Sequence, residues 1–259
     1  MGLNTLFVGH TIIDLDKVNS TNSYLHDLLK KKTPAEGVIV WALEQYAGRG
    51  QRGNSWLSQP GVNLTFSILL EPRFLVLADQ FLLTKALALG VAEFVSSLAP
   101  SASVKIKWPN DIYANDCKIA GILVENILET SIIKYSIAGI GLNINQEAFD
   151  PSLPNAISLK VLTGNSFDLS ACLQSLCVSI EKFYLKLRAS DYKGIDALYD
   201  KLLYRKDLLS RFSLNGEPCE GTIKGVTPSG HLLINTKKGT QIISNDVIEV
   251  SDVKHLVFL

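Results

Sequence analysis

Apolar positions along this chain come in short runs whose spacing alternates between a period of two and one near 3.6, the signatures of strands and helices. Residues 10–18 (HTIIDLDKV) alternate as a strand. Tyr24, Leu25, Leu28 and Leu29 then share one helical face, entered through Ser20-Thr21-Asn22. Two apolar runs rich in β-branched residues, 37–43 (GVIVWAL) and 62–70 (VNLTFSILL), read as buried strands. A long helix follows over residues 76–98, and its interruptions at Asp79, Gln80, Lys85 and Glu93 mark it as amphipathic and not membrane-spanning. In SVKIKW (103–108), Val104, Ile106 and Trp108 face one way and Lys105 and Lys107 the other, until Pro109-Asn110-Asp111 ends the strand. Residues 112–126 suit a hairpin about Asn115-Asp116, and residues 133–145 a strand running into a turn at Gly139-Ile140-Gly141. Helical spacing returns over 168–187 and 192–203. From Phe212 onward, apolar runs alternate with turn signals at Asn215-Gly216, Pro228-Ser229-Gly230 and Lys237-Lys238-Gly239, which predicts a small β-barrel of about five strands. A domain boundary belongs between 205 and 211.

Between the two buried strands lies QYAGRGQRGNSW (45–56). Glycines at 48, 50 and 53 let backbone approach a ligand without a Cβ in the way, and Arg49 and Arg52 add permanently charged planar donors. The run matches GxGxxG, but the dinucleotide fingerprint needs a helix straight after its glycines, and NSWLSQPG (54–61) carries turn residues instead. A phosphate- or carboxylate-handling loop remains, with a surface loop as the alternative. Ser20, Thr21 and Asn22 equally suit helix capping, and Lys107 a solvated strand face.

Composition narrows the classes. With 259 residues, 47% of them hydrophobic and 19% charged, the chain can build a large core and is not disordered. Lys plus Arg and Asp plus Glu both number 25, so no polyanion or anionic membrane partner is indicated. Cys117, Cys172, Cys177 and Cys219 show neither zinc-site spacing nor a disulfide framework. The N-terminus lacks the features of a signal peptide, which leaves the cytoplasm as the expected compartment.

Five signatures together resemble biotin protein ligase: SerThrAsn at 20–22, GRGQRG at 48–53, KWPND at 107–111, KIAGILVE at 118–125 and GIGLNIN at 139–145. The resemblance spans nearly the whole chain. It implies an α+β fold, with a mixed sheet carrying helices mainly on one face, as in class II synthetase-like catalytic domains. That domain would cover 1–208, and a Src-homology-3-like barrel 209–259. It implies ATP-dependent biotinylation of a carrier-domain lysine in a biotin-dependent carboxylase, through biotinyl-5′-adenylate, with biotin and ATP as substrates and Mg²⁺ required.

Residue by residue, the resemblance makes Lys107, Arg49 and Arg52 catalytic cations that gather two anions. Ser20, Thr21, Asn22, Gln45, Gly48, Arg49, Gly50, Lys107, Gly121 and Ile122 would bind biotin. Arg49, Gly50, Gln51, Arg52, Trp56, Lys107, Asn110 and Asn143 would hold ATP or the adenylate, and Asp111 is the candidate on the metal side. Position 51 is glutamine where several relatives carry a basic residue, one cation fewer to hold the adenylate. Lipoate protein ligase and a non-catalytic biotin sensor are the rival readings. Only 19 residues precede Ser20, short of a helix-turn-helix unit, so a monofunctional ligase that does not bind DNA is expected. Both homodimers and monomers occur in the family.

Overall fold

The computed structural model describes residues 4–130, 132–214 and 217–243. Strands β1 (Ile12–Val18) and β2 (Ile39–Gln45) run parallel, with α1 (Thr21–Lys31) as the crossover between them. Every other pairing in this sheet is antiparallel: β3 (Leu64–Leu70), β4 (Val104–Lys107), β5 (Asp111–Ala114), β6 (Cys117–Glu129) and β7 (Ile132–Leu142) complete seven strands in the order β1-β2-β3-β7-β6-β5-β4. The β5–β6 turn falls where expected, with Asn115 and Asp116 at φ 48° and 64°, a conformation these two residue types tolerate.

Alternation along the strands gives the sheet two different faces. On one, α2 (Phe81–Leu98), α4 (Leu169–Arg188) and α5 (Tyr192–Leu202) close a core that includes Phe66, Ile68, Leu83, Leu87, Ile106, Ile140, Leu176 and Tyr184. A short helix, α3 (Leu159–Thr163), precedes α4. Helix α2 is apolar and long enough on composition to cross a membrane, but it is the core helix of this layer, 72% of its apolar window lying inside the fold. On the other face, α1 covers a smaller cluster of Leu25, Val38, Val40, Leu69, Tyr135 and Ile137. Helices therefore lie mainly on one face, as expected, with α1 alone on the second.

The C-terminal run forms a second, antiparallel sheet from β8 (Leu209–Leu214), β9 (Glu217–Val226), β10 (Leu232–Thr236) and β11 (Gly239–Ile243). Both the Asn215-Gly216 turn and any fifth strand beyond 243 lie outside the described residues. The Thr227–His231 turn of this sheet packs on the larger, seven-stranded part of the fold: Trp108 Nε1 donates to the Gly230 carbonyl at 2.9 Å, and Phe81 fills the space a Cβ at Gly230 would need.

One expected element is different. Gly139-Ile140-Gly141 is not a turn but the regular end of β7, paired to β3 on one side and β6 on the other. The glycines are there because other side chains occupy the space above them.

Candidate active site

Past the N-terminal end of α1, the second face of the sheet is paved with glycine. Gly121 pairs with Gly141, and Leu123 and Ser67 flank Gly139. A Cβ on Gly139 would stand 3.0 Å from Asn22 Cγ and closer still to Oδ1, while one on Gly141 would stand 2.6 Å from Trp56 Cζ2 and Nε1 and closer still to Cε2. Bare backbone thus floors a cavity of about 890 Å³, at the upper end of the roughly 300–1,000 Å³ usual for small-molecule sites.

A continuous polar chain lines one end. Gln45 Oε1 accepts from the Thr21 N–H at 2.8 Å and from the Thr21 hydroxyl at 3.1 Å. Ser67 Oγ lies 2.6 Å from Thr21 Oγ1 and 2.5 Å from Asn22 Oδ1. Asn22 Nδ2 donates to Glu125 at 2.6 Å, and the same carboxylate oxygen receives Arg49 Nη2 at 2.7 Å, with His26 Nε2 at 3.6 Å. Ser20 occupies the N-cap position of α1, yet its side chain makes no cap bond. Capping therefore does not account for this Ser-Thr-Asn run; Thr21 and Asn22 spend their side chains on the chain that runs from Gln45 to Arg49.

The glycine-arginine run folds as a tight hairpin over the mouth. Gly50 N–H donates to the Asn54 carbonyl at 2.7 Å and Trp56 N–H to the Gly48 carbonyl at 2.9 Å, while Arg52 and Gly53 turn the tip with φ of 56° and 76°. No helix follows, so the dinucleotide fingerprint fails on structure as it did on sequence context. The hairpin is held to the sheet by the Arg49–Glu125 pair and by Trp56, whose indole lies across Gly121 and Gly141 with Lys118 Nζ 5.6 Å from its ring centre. Trp56 Nε1 is buried against that floor and has no hydrogen-bond partner among the described residues.

At the opposite end, Lys107 closes β4 directly across from Asp111. Asp111 is bound to Lys118 at 2.7 Å, and Lys107 Nζ donates to the Tyr113 hydroxyl at 3.1 Å. Asn110 holds the strand end in place through its Nδ2, which donates to the Ile122 carbonyl at 2.7 Å, and through its carbonyl, which accepts from the Ile122 N–H at 3.0 Å.

Every residue nominated from the sequence lines this cavity except two. Gly48 backs onto a smaller cavity of about 350 Å³ behind the hairpin. Asn143 is buried, its Nδ2 donating to the Ile157 carbonyl at 3.0 Å, so it fastens the segment before α3 and does not face the cavity. Sequence reading passed over Glu125, Ser67, Lys118 and Tyr113. The first two carried only a weak signal: Glu125 shares its run KIAGILVE with Lys118, and Ser67 shares VNLTFSILL with Asn63 and Thr65, so polarity within a strand run did not single either out.

Comparison with known proteins is consistent with this geometry. Residues 15–143 match the biotin/lipoate A/B protein ligase family. The chain is 32% identical over 254 residues to the bifunctional ligase/repressor BirA of Bacillus spizizenii, covering 96% of this chain and 77% of that protein. It is 29% identical over 245 residues to the biotin–[acetyl-CoA-carboxylase] ligase of Paracoccus denitrificans, covering 88% and 96%. Among solved structures, the Aquifex aeolicus biotin protein ligase in complex with biotin and ATP superposes with a TM-score of 0.76 at 28% identity, over 90% of this chain and 95% of that one.

Proposed function

This chain belongs to the biotin/lipoate A/B protein ligase family, and from that premise we propose that the cavity over β6 and β7 is the site of its chemistry. The protein is an ATP-dependent biotin–protein ligase. Biotin's carboxylate oxygen attacks the α-phosphorus of ATP and expels pyrophosphate; the amine of a carrier lysine then attacks the acyl carbon of biotinyl-5′-adenylate and expels AMP.

The observation that carries the site reading is that Arg49, Arg52 and Lys107 line the same cavity as the Gln45–Thr21–Ser67–Asn22 chain. The first step brings two anions together, so fixed cations at the carboxylate and α-phosphate supply the main stabilisation. The polar chain offers amide and hydroxyl groups to a ureido edge, while Ile122, Gly121 and the indole of Trp56 wall an apolar ring and chain. Trp56 also offers an aromatic face to adenine. Once seated, the hairpin shields the mixed anhydride from water.

Magnesium fits as the nucleotide's companion. Asp111 is the one carboxylate among the lining residues, and among the described residues no three metal-ligating side chains cluster. ATP's own phosphates would supply most of the ion's ligands, and the ion would screen their charge. We assign the catalytic domain to 1–208 and the C-terminal unit to 209–259, with the carrier domain of a biotin-dependent carboxylase as acceptor. The four free cysteines suit a reducing compartment such as the cytoplasm.

ATP–pyrophosphate exchange, run with biotin, with lipoate and with neither acid, tests the assignment without a carrier protein. Exchange strictly dependent on biotin is expected. Exchange with lipoate instead would move the chain to the sister activity, and none with either acid would leave a binding module.

A further inference from the structure

We propose that Tyr113 is a positioning residue for the adenylation step, its neutral phenol holding the Lys107 ammonium at the cavity wall. The proposal rests on the assignment of Lys107 to that chemistry. Lys107 and Tyr113 are diagonal neighbours on adjacent antiparallel strands: Lys107 pairs with Asp111, two residues before Tyr113, and both side chains leave the same face. Lys107 Nζ donates to Tyr113 Oη at 3.1 Å and stands 5.1 Å from the ring centre. Those two distances together describe an ammonium bound to the hydroxyl and not stacked over the ring.

Tyr113 is itself immobilised. It is 8% exposed, and its ring lies against Tyr204 at 5.1 Å and 44°. Tyr204 is fastened in turn by its N–H donating to the Ile106 carbonyl at 2.8 Å, on the strand that carries Lys107. The connection between α5 and β8 therefore builds the support under this lysine. A phenol hydroxyl is uncharged near neutral pH, so the group Lys107 meets here is a neutral acceptor. A neutral acceptor directs the ammonium without cancelling the charge that must meet a carboxylate and a phosphate. A carboxylate in the same place would compete with both substrates.

The test is Tyr113→Phe, which keeps the ring packed on Tyr204 and removes only the acceptor. In biotin-dependent ATP–pyrophosphate exchange, kcat should fall roughly tenfold, as loss of a charge-assisted contact and its alignment does, with KM for biotin unchanged within twofold. In a Lys107→Ala background the same substitution should change the rate by less than about 1.5-fold, because the group it positions is gone. A kcat within twofold of wild type overturns the proposal, as does an equal loss in both backgrounds, which would make Tyr113 a packing residue only. No exchange in the wild-type protein would sink the ligase reading itself, and the proposal with it; biotin-dependent exchange with an unaffected Tyr113→Phe sinks the proposal alone.

Discussion

Replacing Gly141 with alanine should unlatch the hairpin without unfolding the protein. Gly141 is not among the positive-φ glycines, so its backbone accepts alanine, and β7 remains paired on both sides. The added methyl, though, would meet the Trp56 indole, with Cζ2 and Nε1 at 2.6 Å and Cε2 closer. Strand backbone on both sides cannot yield, whereas the hairpin can, so the indole is what moves. An aromatic side chain buries about 150–250 Å²; lifting this partly exposed ring off the floor re-exposes roughly 100 Å², or about 2.5 kcal/mol at ~25 cal/mol per Å². That is an upper figure, because the ring will find some other contact. It corresponds to a rise of about 10- to 70-fold in the open hairpin population. Trypsin reads that population directly: it cuts after Arg49 and Arg52, and when reclosing outpaces cutting the rate follows the open fraction. Gly141→Ala should therefore be cleaved in this loop at least tenfold faster than wild type, with Tm unchanged within about 2 °C, since the core packs on the other face. Biotin with ATP should slow the wild-type cut. Less than a threefold acceleration would refute the idea that Trp56 anchors the hairpin through the glycine floor.

Lys107→Ala should lower the adenylation rate by roughly 10²–10³, the effect of losing one preorganised donor to developing charge; a loss under threefold in pyrophosphate exchange would return Lys107 to the surface. Glu181, 4% exposed, accepts from the N–H groups of Leu6, Phe7 and Val8 at 2.6, 2.8 and 2.9 Å. Glu181→Ala should cost about 3 kcal/mol and lower Tm by roughly 6–12 °C, while biotin-dependent exchange at 20 °C persists; a Tm within 2 °C of wild type would show that the N-terminal segment does not depend on this carboxylate. Burial, aided by nearby Asp168 and Glu181 carboxylates, pushes the thiols of Cys172 and Cys177 up to about 11 and about 12. The unfolded chain gives up these protons first, near the ordinary thiol value, so the contribution is intact below about pH 9 and declines from there towards pH 12. Urea midpoints should fall between pH 9 and 10.5, and a Cys172→Ala/Cys177→Ala variant should show a shallower fall; an equal slope in both proteins would rule these thiols out as the source.

The elements of this fold were legible because local pattern carries them. Two apolar β-branched runs, the alternation of SVKIKW, the helical spacing from Leu169 and the Asn115-Asp116 turn all state a conformation within a few residues. The candidate site was nominated by five signatures taken together, because glycine beside arginine also suits a surface loop and lysine at a strand end a solvated face. What the tertiary structure decided was which residues meet. Arg49 and Glu125 are 76 residues apart and Ser67 and Asn22 are 45 apart, and no local period encodes those contacts. Gly139 and Gly141 look like turn residues in isolation and become the floor of a cavity only because Asn22 and Trp56 arrive above them from other elements. Asn143 sits in a signature run, yet faces away, because its place at the end of β7 turns its amide towards the Ile157 carbonyl. Spacing along the chain sets what each segment becomes, whereas the face a side chain presents, and what it touches there, is set by how distant strands register against one another.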